Sequence, residues 1–336
     1  AISSLPGLSS KSVVLVGERL VETEGGLSAV AKLVEQSGAK LGWVPRRAGE
    51  CGAIAAGATP NLLPGNRLVT DAAARVDIAT AWGTPSLPTE VGMSTDEMIN
   101  SDLQALLIGG IDPMDIAPDA KIKLAKKFVV SLEIRQSDIT DIAAVVLPVA
   151  AVVEKSGSFI DWQGNTRSFE SAVSQSLNRS DVRILSMLAD EIGRSIKLTT
   201  VKAARAEFDS IGNWDGPKIA MKSSPAKAVN AVADGEGILS SWRNLLDKGS
   251  LQDGEDNLAG TARKSVVVIS GSRANKLGVK ESDLVRVSNN YGAITLPCVI
   301  ADIEDSSIWL PRNSLSSQLI RNLGVVSNSV VKVAKA

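Results

Sequence analysis

Five short runs along this chain are apolar or nearly so: residues 12–16, 40–44, 103–108, 128–132 and 144–147. They lack the alternation of a strand that turns one face to water, and their composition fits strands of a parallel sheet buried on both faces. The chain between the first two runs has helical spacing. Leu27, Val30, Ala31 and Val34 recur at intervals of three or four, Gly38 supplies a stop, and Pro45 closes the second strand. Strand, helix and strand over about thirty residues form a βαβ unit, whose crossover is right-handed in nearly all cases.

The pattern recurs downstream. Ser94 caps a short helix ahead of residues 103–108, the turn Gly109-Gly110 and Asp112-Pro113 follow, and Lys121, Lys123, Lys126 and Lys127 share a helix with Ile122, Leu124 and Ala125. Ser180-Asp181 caps an amphipathic helix through Val182, Leu185, Leu188 and Ile192. These signals predict an α/β domain over residues 1–208 with a parallel, Rossmann-like sheet. Residues 209–264 are rich in Gly, Asp, Ser, Lys and Asn, and read as a linker or interface segment with one helical island at 238–246. Residues 265–336 read as a small, mostly β domain. Its strands lie at 266–269, 284–287, 293–300, 307–310 and 330–333, with a hairpin turn at 289–292.

Composition narrows the chemistry. The 336 residues include 36 basic and 37 acidic side chains, two cysteines and no histidine. A near-neutral chain without a basic tract has no electrostatic footprint for nucleic acid. Lack of histidine removes the Ser-His-Asp and Cys-His triads and the commonest neutral-pH base. Cys51 and Cys298 are too isolated for intrachain iron–sulfur or zinc ligation, so no metal site is expected within these residues. There is neither a Gly-x-Gly-x-x-Gly turn between strand and helix nor a P-loop. The longest apolar stretch, 142–153, is broken by Pro148, and no membrane-inserted segment is expected. The chain opens Ala1-Ile2-Ser3-Ser4, which suggests a fragment of a longer protein.

Candidate ligand contacts lie beyond strand ends, where open α/β sheets bind small molecules. Arg46 and Arg47 follow the second strand, and could grip a phosphate in bidentate fashion or be ordinary ion-paired residues. Gly109, Gly110 and Asp112 follow the third strand, as a tight turn or part of a cleft. Glu154 and Asp161 flank a glycine-containing loop, either as an acid–base pair or in capping roles.

One stretch is more specific. Residues 137–148 (SDITDIAAVVLP) and 154–167 (EKSGSFIDWQGNTR) resemble the signature T-x-x-A-D-V-V-L-P … E-K-x-G-T-F-x-N-x-E-G-R of the molybdopterin oxidoreductase superfamily. Residues 103–113 are similar to its L-L-x-G-G-x-(D/E)-P segment. Residues 274–287 and Gly292 resemble A-x-x-L-G-(I/V)-x-x-G-D-x-V-x-V … G of its C-terminal barrel domain. Ser158, Asp161, Gln163 and Ser282 depart from that pattern, standing where Thr, Asn, Glu and Gly are usual. Within the superfamily, residues 45–50 (PRRAGE) and 57–65 (GATPNLLPG) look most like the actinobacterial G-subunit branch of NADH-quinone oxidoreductase, respiratory complex I.

The resemblance implies a C-terminal barrel of the double-psi type and a structural role in a membrane-associated translocase. Iron–sulfur clusters would lie upstream of these residues, no catalytic residue would fall here, and a molybdopterin cofactor is not expected. Other peripheral-arm subunits would be the partners, on the cytoplasmic side of a bacterial membrane. Two alternatives remain. One is a catalytic molybdopterin-dependent fragment whose dinucleotide clefts Arg46, Arg47, Gly109, Gly110 and Asp112 would line. The other is a small-ligand α/β module without redox chemistry.

Overall fold

The computed structural model describes residues 7–21, 23, 25–173, 176–219 and 232–336. The N-terminal Ala1-Ile2-Ser3-Ser4 and residues 220–231 of the expected linker lie outside them. The chain divides into two units, the first comprising Ala1–Glu18, Val30–Ile111 and Ile122–Ser223, the second Arg19–Ala29, Asp112–Lys121 and Ser224–Ala336.

In the first unit, β1 (Val13–Gly17) and β2 (Lys40–Val44) pair in parallel across helix α1 (Gly26–Ser37), as the spacing predicts. Val16, Val30, Leu33 and Ala39 are buried there, and Gly38 adopts φ 69°, a left-handed stop that only glycine takes without strain. Helix α2 (Thr95–Asn100) starts in a reciprocal capping box. Ser94 Oγ accepts from Glu97 N at 3.3 Å, and Glu97 Oε2 accepts from Ser94 N at 2.6 Å.

A second parallel sheet has the order β3 (Ala105–Gly109), β4 (Phe128–Glu133), β5 (Val145–Pro148). Helix α3 (Ala120–Leu124) links its first two strands, and ends before Lys126 and Lys127. After β5 an antiparallel hairpin, β6 (Gly157–Ile160) with β7 (Thr166–Phe169), precedes helix α4 (Asp181–Glu191), capped by Ser180, and helix α5 (Val201–Ile211).

Two expectations for this unit need correction. The parallel strands form two separate small sheets rather than one, and they are not buried on both faces: Leu15, Leu107, Phe128 and Val145 are all exposed. The contact face of α4 is also shifted. Ile184 is buried and Leu188 half-buried against Leu132, Leu147 and Val149, while Leu185 and Ile192 face outward. A helix face is set by what it packs on, and the apolar pattern of α4 permits more than one stripe.

The second unit is built on a closed six-stranded barrel. Its strands are β8 (Glu236–Trp242), β9 (Val267–Ile269), β10 (Leu284–Ser288), β11 (Ala293–Ile300), β12 (Ser307–Pro311) and β13 (Val330–Lys335), in the order β8-β12-β9-β11-β10-β13. The pairs β8/β12 and β9/β11 are parallel, and the other four are antiparallel. Leu239, Val267, Ile269, Val285, Val287, Ile308 and Leu310 are fully buried inside. Each such side chain contributes about 1.5–3 kcal/mol by leaving water. The turn at 289–292 closes through Asn289, whose Oδ1 accepts from Tyr291 N and Gly292 N at 2.9 and 3.0 Å.

Five of the six barrel strands match the sequence reading. The sixth, β8, replaces the helical island expected at 238–246, and so the segment 209–264 is not simply a linker. Its inward positions are Gly237, Leu239 and Ser241, two of them small, which hides the period of two. A Cβ at Gly237 would lie 3.2 Å from Ile308 Cγ2, and Ser241 Oγ donates to Leu310 O at 2.7 Å, so both small residues fit a crowded interior. Two segments well ahead of residue 208, Arg19–Ala29 and Asp112–Lys121, also join this unit, against the boundary expected there. Arg19 stacks 4.4 Å from the Trp242 ring centroid, and Asp115 pairs with Arg243 at 3.1 Å.

Candidate functional site

The strand-end residues singled out by sequence fall in three places. Arg46 and Arg47 follow β2, both exposed, with Arg46 Nε 3.8 Å from Glu18 Oε2 beyond the end of β1. Gly109 ends β3, and Gly110, at φ 62°, donates its N–H to Leu132 O at 3.1 Å, which makes the pair a tight turn against β4. Asp112 belongs to the second unit, where its Oδ1 accepts from Met114 N at 2.9 Å and caps the short helical turn Pro113–Asp115.

Around Asp112 the second unit gathers charge. A cavity of about 20 Å³, room for a single water, is lined by Asp112, Arg243, Arg312, Asn313, Gln318 and Arg321 among others. Arg243 is held by Asp115 and Asp247, each at 3.1 Å. Burial opposes its charge, but the two carboxylates more than offset this and raise its pKa. A wider open cleft of about 700 Å³ lies beside helix α6 (Gly271–Leu277), with Asp234, Glu236, Arg273, Lys276 and Asp305 on its walls. The Arg273 guanidinium is spent on backbone, donating to Glu236 O at 2.8 Å and to Asp305 O at 2.6 and 3.0 Å.

The family signature acquires a structural meaning here. Glu154 accepts from Ala151 N, Ser176 Oγ and Asn178 Nδ2 at 2.8, 2.8 and 3.0 Å. The Ala151 N–H first, then Asn178 and Ser176, hold its pKa below the ordinary range. Lys155 pairs with Asp181 in the first turn of α4. A Cβ on Gly157 would strike the Phe169 ring at 2.5 Å, and that ring stacks on Phe159 at 5.1 Å. Asp161 accepts from Gln163 N, Asn165 N and Arg167 Nε at 3.0, 2.9 and 3.1 Å; the Asn165 N–H is the main cause of its lowered pKa. Glu154 and Asp161 therefore organise loops. In the barrel, Gly278 ends α6 at φ 64°, and Ser282, where the family pattern has Gly, is held at φ 70°.

Sequence reasoning missed Arg67. It is 3% exposed, and its donors reach Asp77 Oδ2 at 2.6 and 2.7 Å, Pro64 O and Gly212 O at 3.0 Å and Ile211 O at 3.0 Å, with Trp214 5.2 Å away. It ties the short hairpin at 62–68 to the carboxyl end of α5, where a cation is favoured. The only sequence signal was an arginine just after the Pro64-Gly65 turn. Both thiols have raised pKa values, Cys51 through burial and then Glu50 and Asp161, Cys298 through burial and then Glu281 and Asp283. Neither is poised as a thiolate. Among the described residues, no three His, Cys, Asp or Glu side chains converge as metal ligands.

Residues 9–191 match the molybdopterin oxidoreductase family. The NADH-quinone oxidoreductase G subunit of Mycobacterium bovis is 46% identical over 332 residues, covering 96% of this chain and 41% of that protein. Its namesake from Streptomyces coelicolor is 40% identical over 337 residues, covering 97% of this chain and 40% of that protein. Among solved structures, acetylene hydratase from Pelobacter acetylenicus aligns at TM-score 0.46 and 11% identity, over 82% of this chain and 47% of that one. The chain thus spans about 40% of the length of the curated relatives it matches.

Proposed function

The chain belongs to the molybdopterin oxidoreductase family, and on that basis we propose that it serves as a non-catalytic, structural part of the G subunit of an NADH-quinone oxidoreductase. The observation that carries this reading is 46% identity sustained over 96% of the chain, through both units. Electrons would pass from NADH through iron–sulfur clusters in the rest of the subunit to quinone, coupled to proton translocation. This portion would hold the cluster-bearing part in place against the other peripheral-arm subunits, on the cytoplasmic side of the membrane. No helix among the described residues is long and apolar enough to cross a membrane.

The family implies a molybdopterin group, and the strand-end residues do not fit one. Arg46 is turned to Glu18, and Asp112 caps its own helical turn. The finer fold reading is a Rossmann-like first unit and a double-psi barrel. The parallel βαβ unit supports the former, and the two parallel pairs within a closed six-stranded barrel support the latter.

Metal analysis of the purified full-length polypeptide tests the proposal. Iron without stoichiometric molybdenum or tungsten is the expected result, together with co-purification of the other peripheral subunits. Molybdenum or tungsten at one per chain overturns the non-catalytic role.

A further inference from the structure

The chain between β3 and β4 does not stay with the strands it joins. Ile111 and Ile122 belong to the first unit, whereas Asp112–Lys121 between them belongs to the second. Parallel strands can pair only through a crossover, and this one has little of its own to hold it. Its helix, α3, is five residues long, far short of the ~12–15 at which an isolated helix becomes even marginally stable. The start of the crossover must therefore be fixed from outside.

What fixes it lies in the second unit, 128 residues further along the chain. Arg243, 15% exposed, donates from Nη2 to Asp115 Oδ2 and from Nη1 to Asp247 Oδ2, each at 3.1 Å. The two bonds differ in reach. Asp247 stands four residues from Arg243 and is 6% exposed, with Oδ1 accepting from Gly249 N at 2.7 Å, so it fixes the guanidinium on its own loop. The other side of the planar fork is thereby presented to Asp115. Apolar contacts add to this. Pro113 is buried, and its turn packs on helix α7 (Leu319–Leu323). Gly324 ends α7 at φ 63°, and a Cβ there would lie 3.4 Å from Pro118 Cγ. Charge is complementary as well, since Asp112 and Asp115 share the walls of one small cavity with Arg243, Arg312 and Arg321.

We propose that Asp112–Lys121 is a clasp whose docking beside the barrel, through Asp115 on Arg243 and the prolines near α7, sets the β3–β4 crossover. The pairing of β3 with β4 then reaches its full stability only after the barrel has folded. Dependence runs one way, because Arg243 keeps Asp247 when the clasp is open, whereas the crossover has no second support of this kind. Two hydrogen bonds of the first unit report on the clasp. Gly110 N donates to Leu132 O at 3.1 Å just ahead of it, and Phe128 N donates to Gln104 O at 2.8 Å just beyond α3.

Native-state amide hydrogen exchange of the 336-residue chain, resolved to single residues, tests the clasp. Asp115→Asn should speed exchange at Gly110 and Phe128 by about three- to tenfold, the effect of one partly exposed charge-assisted bond. Cys298 N, which donates to Asp283 O within the barrel unit at 2.8 Å, should exchange at an unchanged rate. Arg243→Met should speed Gly110 and Phe128 to a similar degree, and the double variant should add little to either single change, as for two groups that act through one bond. Unchanged rates at Gly110 and Phe128 in Asp115→Asn overturn the proposal. So does an equal rise at Cys298, which would mark a general loss of stability rather than an opened clasp. Should Arg243→Met fail to fold, Asp115→Asn decides alone, since Asp115 is 43% exposed and an amide fits in its place.

Discussion

The barrel and the three-stranded parallel sheet use similar apolar residues to opposite effect. Val285, Val287, Ile308 and Leu310 of the barrel are fully buried, whereas Leu107, Phe128 and Val145 of the sheet are exposed by 40% or more. The difference is closure. In the barrel, β8 meets both β12 and β13, so the sheet has no free edge and its inner faces share one core. The parallel sheet has two edges and two faces, and each face keeps exposed side chains, Leu107 and Val145 on one and Val146 on the other. This barrel closes with strands of its own unit, one hairpin pair and five pairings that join strands more distant in sequence. A parallel sheet depends on helices brought from elsewhere in the polypeptide.

The contrast is tested most severely by removing matched side chains from each region. Leu310→Ala in the barrel should lower unfolding stability by about 2–5 kcal/mol in urea denaturation, because the interior cannot refill the space. Next in size, Arg67→Met should destabilise the first unit by about 2–3 kcal/mol, since it strips charge-assisted bonds from Asp77 and leaves the Pro64, Ile211 and Gly212 carbonyls without their donor. A shift of the unfolding midpoint with unchanged slope is the expected signature. Ser282→Gly works in the other direction. Relief of φ 70° should stabilise the barrel by about 1 kcal/mol, read as a higher midpoint of thermal unfolding.

Acid should weaken the first unit more than the second, where Asp305 is also held low, by the Ser270 and then the Ser272 hydroxyl. Glu97, Glu154 and Asp161 in the first unit have pKa values held low, by the Ser94, Ala151 and Asn165 backbone N–H groups first in each case. The stabilisation from such a group is complete above its unfolded pKa and is lost as pH falls through the lower folded one. Below about pH 5 the first unit should therefore loosen progressively, and Glu154→Gln should flatten that dependence in a pH series of urea midpoints. Leu107→Asn should have the least influence, within about 0.5 kcal/mol in the 336-residue chain, as for other exposed surface positions. A loss as large as that of Leu310→Ala would show that the open face is packed within the chain itself.

Much of the local structure was legible in the sequence because its signals are short-range. Gly38 and Ser180 mark helix ends through backbone conformation and a cap, and five barrel strands announce themselves by β-branched runs. What escaped was decided by partners distant in sequence. Strand β8 was hidden because its inward positions are glycine and serine, chosen to fit against β12. Arg67 gave no signal beyond its place after the Pro64-Gly65 turn, because apart from Pro64 its acceptors lie about ten and 145 residues away. The strand-end residues Arg46, Arg47, Gly109, Gly110 and Asp112 share a local setting in sequence, yet the fold divides them between two units. Within the family signature, Glu154, Gly157 and Asp161 were visible as a motif, and their work as loop organisers was not, since hydrogen-bond partners are fixed only when the chain folds.

The kinds of element other than β8, the parallel character of the first unit, the β character of the second and the family to which the chain belongs are written in the order of its residues. They follow from side-chain period, backbone preference and residue identity, which are carried locally. Which faces are closed is settled at the level of the folded chain. Coverage depends on topology: the open β3-β4-β5 sheet leaves side chains exposed on both faces, Val145 and Val146 among them, while cyclic pairing seals the barrel. An exposed Leu107 and a buried Leu310 are the same residue in similar strands, and the difference between them lies in what the rest of the polypeptide brings to each.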